Sequence, residues 1–237
     1  MDNKSADIVK SIKSKEDNFR VYFEYNLDDE TSQFINKLKQ HTSLYLFSGI
    51  IRDFFLAKNE VFRDIDLIYD IDINLENIFP KYNFEKNSFG GYKVHIGKYI
   101  IDIWNLNETW GLKKGQLTLE FNKLHKLPDT TFFNFSSIIY SLKENEFIIG
   151  KPFLNFLKKE EIDIVLDDNP YPELCIINTI YYQKKLNYKL SKRLKNYILH
   201  TIEELSPSKL LNIQIKHFNK IMFTKDEIFS FRDKLEM

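Results

Sequence analysis

The spacing of apolar residues follows one rule up to about residue 145 and another after it. In the first part, short apolar runs and alternating stretches dominate. LYLF at 44–47 is a continuous apolar run of strand length, and RDIDLIY at 63–69 alternates apolar with polar residues as a half-buried strand does. Residues 92–96 and 99–104 are two further strand-like runs, separated by the hairpin signal Gly97-Lys98 and preceded by the turn pair Gly90-Gly91. Helical spacing interrupts the strands at 31–40, with Thr31 as the expected N-cap, and at 50–57. Residues 1–19 are polar and are expected to form a frayed or helical extension. After residue 145, helical spacing predicts helices over 152–159, 171–185, 189–205, 208–222 and 226–235. Pro207 falls near a helix start, where proline is tolerated. The pattern predicts an α+β region followed by an all-helical one.

Composition narrows the picture modestly. The 237 residues allow one large domain or two small ones, and 43% hydrophobic with 15% aromatic content supports a substantial core. Lys plus Arg equals Asp plus Glu at 34 each, so bulk charge neither favours nor opposes a nucleic-acid partner, and only local clustering can. The single cysteine, Cys175, excludes an internal disulfide or thiolate cluster and reads as a small buried residue. No signal peptide and no bilayer-length apolar run is visible, so a soluble, cytoplasmic protein with no membrane partner is expected.

The chemistry concentrates in 44–70. A buried strand leads through Ser48-Gly49 into a helix carrying Arg52, and a strand follows with Asp64 and Asp66 one residue apart. Alternation puts these two carboxylates on one face, with Cα atoms about 6.5–7 Å apart. Asp102, in YIIDIW, lies opposite its apolar neighbours and completes a trio if its strand lies beside 63–69. Three acids suit Mg²⁺ (or Mn²⁺), which takes hard oxygen ligands and shares its shell with phosphates. Ser48, Gly49, Arg52 and Arg63 are the candidate nucleotide contacts: the turn approaches the triphosphate, and Arg52 either clamps phosphate or pins a carboxylate. The bland alternative is a solvent-facing D-x-D, a pattern that Asp70 and Asp72 continue without obvious purpose.

These residues resemble a known signature. SGIIRDFFL followed by RDIDLIYD looks like the GG-x-x-RD…DxD pattern of class II tRNA nucleotidyltransferases and bacterial poly(A) polymerases, in the polymerase β superfamily. PDTTFFNFSSIIYSL resembles the segment that ends their head, EEIDIVLDDNPYPELCIINTIYYQKKLNY their linker and first neck helix, and EELSPSKLLNIQIKHF a later neck segment. The likeness spans about 40–220. It implies a polymerase β-like head, a mixed sheet with flanking helices, then a helical neck. It divides the chain into an extension at 1–37, a nucleotidyltransferase head at 38–145 and a neck at 146–237. The implied activity is metal-dependent transfer of a nucleoside monophosphate from an NTP, ATP among them, to an RNA (tRNA-like) 3′ end, as in tRNA processing. Asp64, Asp66 and Asp102 would be the catalytic, metal-binding acids. The chain departs from the pattern at Ser48 (a glycine in the family), at Leu127-Pro128-Asp129, where arginines are usual, and at Tyr171-Pro172-Glu173-Leu174 and Asn178, where the family's acid and arginine choose between CTP and ATP. With the chain ending at 237, a minimal head-and-neck member is expected.

Two other readings stay open. One is nucleotidyl transfer to a protein or small molecule, as in toxin–antitoxin or phage-defence systems; the other is an inactive RNA- or partner-binding module. Lys184, Lys185, Lys192 and Arg193, interleaved with Tyr181, Tyr182, Tyr188 and Tyr197, suit an RNA strand or merely a solvated helix face. Trp104 and Trp110 are expected in the core, with base stacking as the alternative. Lys93 and Lys98 lie near the acids, where a solvent-facing lysine is the ordinary outcome. Of the five histidines only His95 falls near the acids, and none has metal-ligand spacing.

Overall fold

The structure, a computed structural model, describes residues 3–47, 49–56, 62, 64–87, 89–113 and 123–236. It divides into two compact units: Met1–Thr131 with Phe135–Leu154, and Phe132–Asn134 with Asn155–Met237.

The first unit is built on a seven-stranded mixed sheet. Its strands are β1 (Leu44–Phe47), β2 (Asp64–Tyr69), β3 (Glu85–Lys86), β4 (Tyr92–Ile96), β5 (Tyr99–Asn105), β6 (Ile138–Ser141) and β7 (Glu146–Ile149), in the spatial order β3-β4-β5-β2-β1-β6-β7. Only β2 and β5 run parallel; every other pairing in this sheet is antiparallel. The hairpin expected at Gly97-Lys98 is present, with Ile96 opposite Tyr99 and Gly97 at φ +55°, a conformation that favours glycine.

The helices of this unit are α1 (Asn3–Lys13), α2 (Glu16–Asn26), α3 (Asp29–Leu38), α4 (Gly49–Phe55) and the short α5 (Leu75–Ile78), α6 (Trp110–Lys113) and α7 (Lys123–Lys126). The polar N-terminal stretch is helical and anchored. Ile12, Phe19, Phe23, Phe34, Ile35 and Leu38 are buried. The Phe19 ring meets Tyr140 at 4.7 Å and Phe147 at 5.1 Å, so α2 lies on the β6–β7 end of the sheet. Burying such a ring removes about 2–3 kcal/mol of exposed apolar surface from water. The α3 N-cap is Asp28, not Thr31: the Asp28 carboxylate accepts from the Thr31 N–H at 2.8 Å. Thr31 lies one turn inside, buried, and donates its hydroxyl to the Ile96 carbonyl. Asp28 also accepts from the Lys98 N–H at 2.9 Å and so ties α3 to the β4–β5 hairpin.

Helix α8 (Lys151–Lys159) spans the division between the units. The second unit continues with α9 (Pro172–Leu186), α10 (Lys192–Glu204), α11 (Pro207–Phe218) and α12 (Lys225–Glu236). It also contains a short parallel pair, β8 (Glu161–Ile162) with β9 (Lys189–Leu190), so the helix expected from 189 begins only at Lys192. Ser191 is its N-cap and accepts from the Leu194 N–H. Asn187 and Asn219 close α9 and α11 in the left-handed conformation. The buried Gln214 side chain donates to the Leu210 and Phe223 carbonyls and accepts from the Met222 and Phe223 N–H groups, fixing the α11–α12 turn. Among the described residues, no helix is long and apolar enough to cross a membrane.

Candidate active site

The sheet carries a row of charge that packing alone does not require. Parallel pairing of β2 and β5 places Asp66 directly beside Asp102, and antiparallel pairing of β5 and β4 places Lys93 beside Asp102. Directly paired residues share a face, so Lys93, Asp102 and Asp66 stand in line across three neighbouring strands. Asp64 lies on the same face, one pleat along β2. Between these acids, Ile65, Leu67, Ile101 and Ile103 are fully buried beneath the opposite face and hold the strands in this register.

Asp64 is exposed, whereas Asp66 and Asp102 are partly buried. Burial, followed by the charges of Asp102 and Asp64, pushes the Asp66 carboxyl up to about 7, against the pull of Arg52 and Lys93. Asp102 is also raised, by burial and by Asp64, although Lys93 draws it down. The Lys93 Nζ stands 3.9 Å from Asp102 Oδ2. Among the described residues, no three His, Cys, Asp or Glu side chains stand as a closed set of metal ligands. The backbone register brings the acids together; their oxygens do not yet converge on one point.

Gly49 opens α4, two positions after β1 ends at Phe47. The space where a Cβ would stand on Gly49 is open to 4 Å, so packing does not demand glycine there. Arg52 is buried and holds Asp53 through two bonds, Nε to Oδ1 and Nη2 to Oδ2, both 2.9 Å, while its guanidinium lies 5.6 Å from the Phe135 ring centre. Its charge also lowers the proton affinity of Asp66. Ser48 and Arg63, the remaining candidate nucleotide contacts, lie outside the described residues.

Other candidates resolve into structure. Asp70 accepts from the Thr42 hydroxyl at 2.9 Å and the Ser43 N–H at 3.1 Å, a closed local network. Trp104 donates to Thr109 Oγ1 at 3.1 Å and packs edge-on against Phe47 beside a buried cluster of Tyr45, Ile68 and Ile139. His95 is exposed and pairs with Ile100, itself the partner of Asp64, so it stands on the same face as the acids with Ile100 between it and Asp64. The neighbour whose position the sequence reading left undefined is Lys93. Its place was recoverable, because the two-residue turn that sets Ile96 opposite Tyr99 also sets Lys93 opposite Asp102.

In the second unit the basic stretch is largely engaged. Arg193 donates to the Ile164 and Val165 carbonyls and to Asp167. Lys184 lies 4.6 Å from the Phe223 ring centre and Lys185 5.9 Å from that of Tyr181. Lys192 is exposed at the start of α10. Tyr182, Tyr188 and Tyr197 meet Phe133, Phe156 and Phe132, respectively, rather than standing free. A cavity of about 220 Å³ in the first unit is lined by Arg20, Glu24, Asn36, Lys39 and Tyr140 among others and contains none of the candidate acids.

No protein-family model and no curated protein sequence matches the chain. Solved structures do match it. A tRNA-processing enzyme in an apo form aligns with TM-score 0.58 and 16% identity over 89% of this chain and 58% of its own. A CCA-adding enzyme in complex with CTP aligns with TM-score 0.61 and 15% identity over 90% of this chain and 53% of its own. A tRNA nucleotidyltransferase complexed with a primer tRNA and an incoming ATP analog aligns with TM-score 0.56 and 19% identity over 84% and 58%. The chain thus spans a little over half the length of these proteins. At such identities the likeness is one of architecture: the chain shares the mixed-sheet and helical fold of these solved structures.

Proposed function

We propose that this protein is a metal-dependent nucleotidyltransferase that moves a nucleoside monophosphate from an NTP to an acceptor hydroxyl, with a tRNA-like RNA 3′ end as the acceptor. The observation that carries the reading is the register that pairs Asp66 with Asp102 on adjacent parallel strands, with Asp64 on the same face. Clustered carboxylates repel and raise one another's affinity for protons, which a fold has no structural reason to maintain. The shared architecture with proteins solved with CTP, an ATP analog and a primer tRNA supports the same chemistry.

The all-carboxylate donor set fits Mg²⁺ or Mn²⁺, and Asp64, Asp66 and Asp102 would hold it. Such an ion, when bound, supplies charge neutralisation at the transferring phosphoryl group and activation of the attacking hydroxyl. The chain's own residues do the rest. Gly49 opens α4 where the phosphates approach. Arg52 fixes Asp53 and leans electrostatically on Asp66, favouring its ionised form. Asp102, the acid closest to Lys93, is the candidate base for the acceptor hydroxyl.

The test is transfer of label from each NTP, with Mg²⁺, to total RNA or to a protein extract. Label on RNA is the expected result. Label on protein moves the assignment to the protein-modifying alternative, and no NTP consumed moves it to the inactive RNA- or partner-binding module, for which the unmatched neck positions around Glu173 and Asn178 speak. Transfer that survives the paired substitution Asp64→Ala, Asp66→Ala overturns the site assignment.

A further inference from the structure

We propose that Lys93 is a resident counter-cation of the acid row, which occupies Asp102 while the site is without its metal and yields it when the ion binds, leaving its ammonium for the nucleotide's phosphates. This rests on the nucleotidyltransferase reading above and adds a residue to it.

Geometry places Lys93 for this task. It is the Cα partner of Asp102, which is in turn the Cα partner of Asp66, so a single line across three strands reads cation, acid, acid. Its Nζ is 3.9 Å from Asp102 Oδ2, an ion-pair contact longer than a hydrogen bond. The lysine side chain keeps 45% of its surface exposed and the aspartate 30%. A partly hydrated pair of this kind contributes little to folding and exchanges readily. Neighbouring lysines are engaged differently: Lys98 lies over the Tyr99 ring, whereas Lys93 reaches the acids. Arg52, the other cation that acts on Asp66, is already committed to Asp53. Among the described residues, Lys93 is therefore the cation best placed to trade partners.

The trade has a definite sign. A fixed positive charge beside a ligand oxygen opposes a divalent cation and attracts a polyphosphate. At a pH that keeps the acids ionised, removing it tightens the first and weakens the second, whereas structural damage weakens both. At a separation of several ångströms near the surface, the effect on either affinity is roughly threefold to tenfold.

The test measures Mn²⁺ binding to the full chain by electron paramagnetic resonance of the free ion, without nucleotide. It then measures binding of a non-hydrolysable ATP analogue at saturating Mn²⁺. For Lys93→Ala we expect Mn²⁺ to bind at least threefold more tightly and the analogue at least threefold more weakly; Lys93→Arg should stay near the parent in both. Lys93→Met, which keeps the apolar stem, repeats the measurement if the alanine variant does not fold. Unchanged or weaker Mn²⁺ binding in a folded Lys93→Ala or Lys93→Met protein overturns the role of Lys93 and leaves the nucleotidyltransferase reading standing. A parent protein that binds no Mn²⁺ overturns both.

Discussion

The acid row of the sheet and the basic stretch of the helical unit look alike in sequence, as short clusters of one charge, and differ in what surrounds them. Arg193 is held by two carbonyls and Asp167, and Lys184 and Lys185 rest against aromatic rings. Asp66 and Asp102, by contrast, are brought together by strand register, partly buried, with Lys93 as a loose partner and each raised above the ordinary carboxylate range. Where local partners satisfy a charge, the charge explains itself as structure. Where the fold gathers like charges and leaves them short of partners, the deficit points to a ligand that is meant to complete it.

The largest expected effect tests that deficit. Asp66→Asn should lower nucleotide transfer roughly 10³-fold, the scale of losing a group that stabilises transition-state charge. The same variant should melt no lower than the parent, because it removes a buried like charge while keeping the shape. Labelled-NTP transfer and thermal unfolding, measured on one preparation, check both halves. A variant that melts much lower while still transferring label would make the row structural and erase the contrast with the basic stretch.

A smaller effect follows from the protonation of Asp66, raised from an ordinary value of 3.8 to about 7. Between about pH 4 and 7 the folded protein holds a proton that the unfolded chain releases. Stability in the absence of divalent ions should therefore fall as pH rises through that window, by up to about 1.4 kcal/mol per pH unit. Urea unfolding at pH 4.5, 5.5 and 6.5 measures the slope, and Asp66→Asn should flatten it. A parent protein that grows more stable across the window on account of this residue would mean that the acid row is already compensated.

The strands that carry the acids were more legible in the sequence than the rest of the fold. β1 announces itself by its continuous apolar run, α4 by helical spacing, β2 by alternation and the β4–β5 hairpin by Gly97, and counting from that turn even aligns Lys93 with Asp102. β6 is hidden because all four of its residues are buried, so no alternation marks it. The weight of α2 in the core was invisible because Phe19 and Phe23 stand among charged neighbours, and their partners, Tyr140, Phe147 and Phe62, are distant in sequence. β9 was absorbed into a helix because two residues, Lys189 and Leu190, are too few to show a period, and only pairing with Glu161 and Ile162 gives them extended form. For the basic stretch both readings stay open in the sequence: four cations at helical spacing suit RNA or a solvated face alike, and which of them are already engaged is a tertiary fact.

On the basic side, Arg193→Ala should destabilise the protein by about 1 kcal/mol, through the lost bonds to Ile164, Val165 and Asp167. Lys192→Ala, at an exposed position, should leave stability within about 0.5 kcal/mol. If the stretch meets RNA, Lys192→Ala should also reduce the slope of log affinity against log salt by about 1, measured by filter binding. The reverse result, with Lys192 needed for folding and Arg193 dispensable, would show that engagement seen within a unit does not separate structural from functional charge.

The smallest effect asks whether every unsatisfied polar group carries meaning. Among the described residues, the Tyr140 hydroxyl is buried without a hydrogen-bond partner, and burial raises it to about 12. It stands at the β6–β7 end of the sheet under α2, away from β4, β5 and β2, which carry the acid row. A neutral hydroxyl left unpaired is a small burden, where a pair of carboxylates is a large one. Tyr140→Phe keeps the ring contacts with Phe19 and Phe147 and removes the unpaired group. We expect stability to be unchanged or higher by up to about 1 kcal/mol, with transfer unaltered, as read by urea unfolding and the labelled-NTP assay. Loss of transfer without loss of stability would extend the functional region to the far end of the sheet.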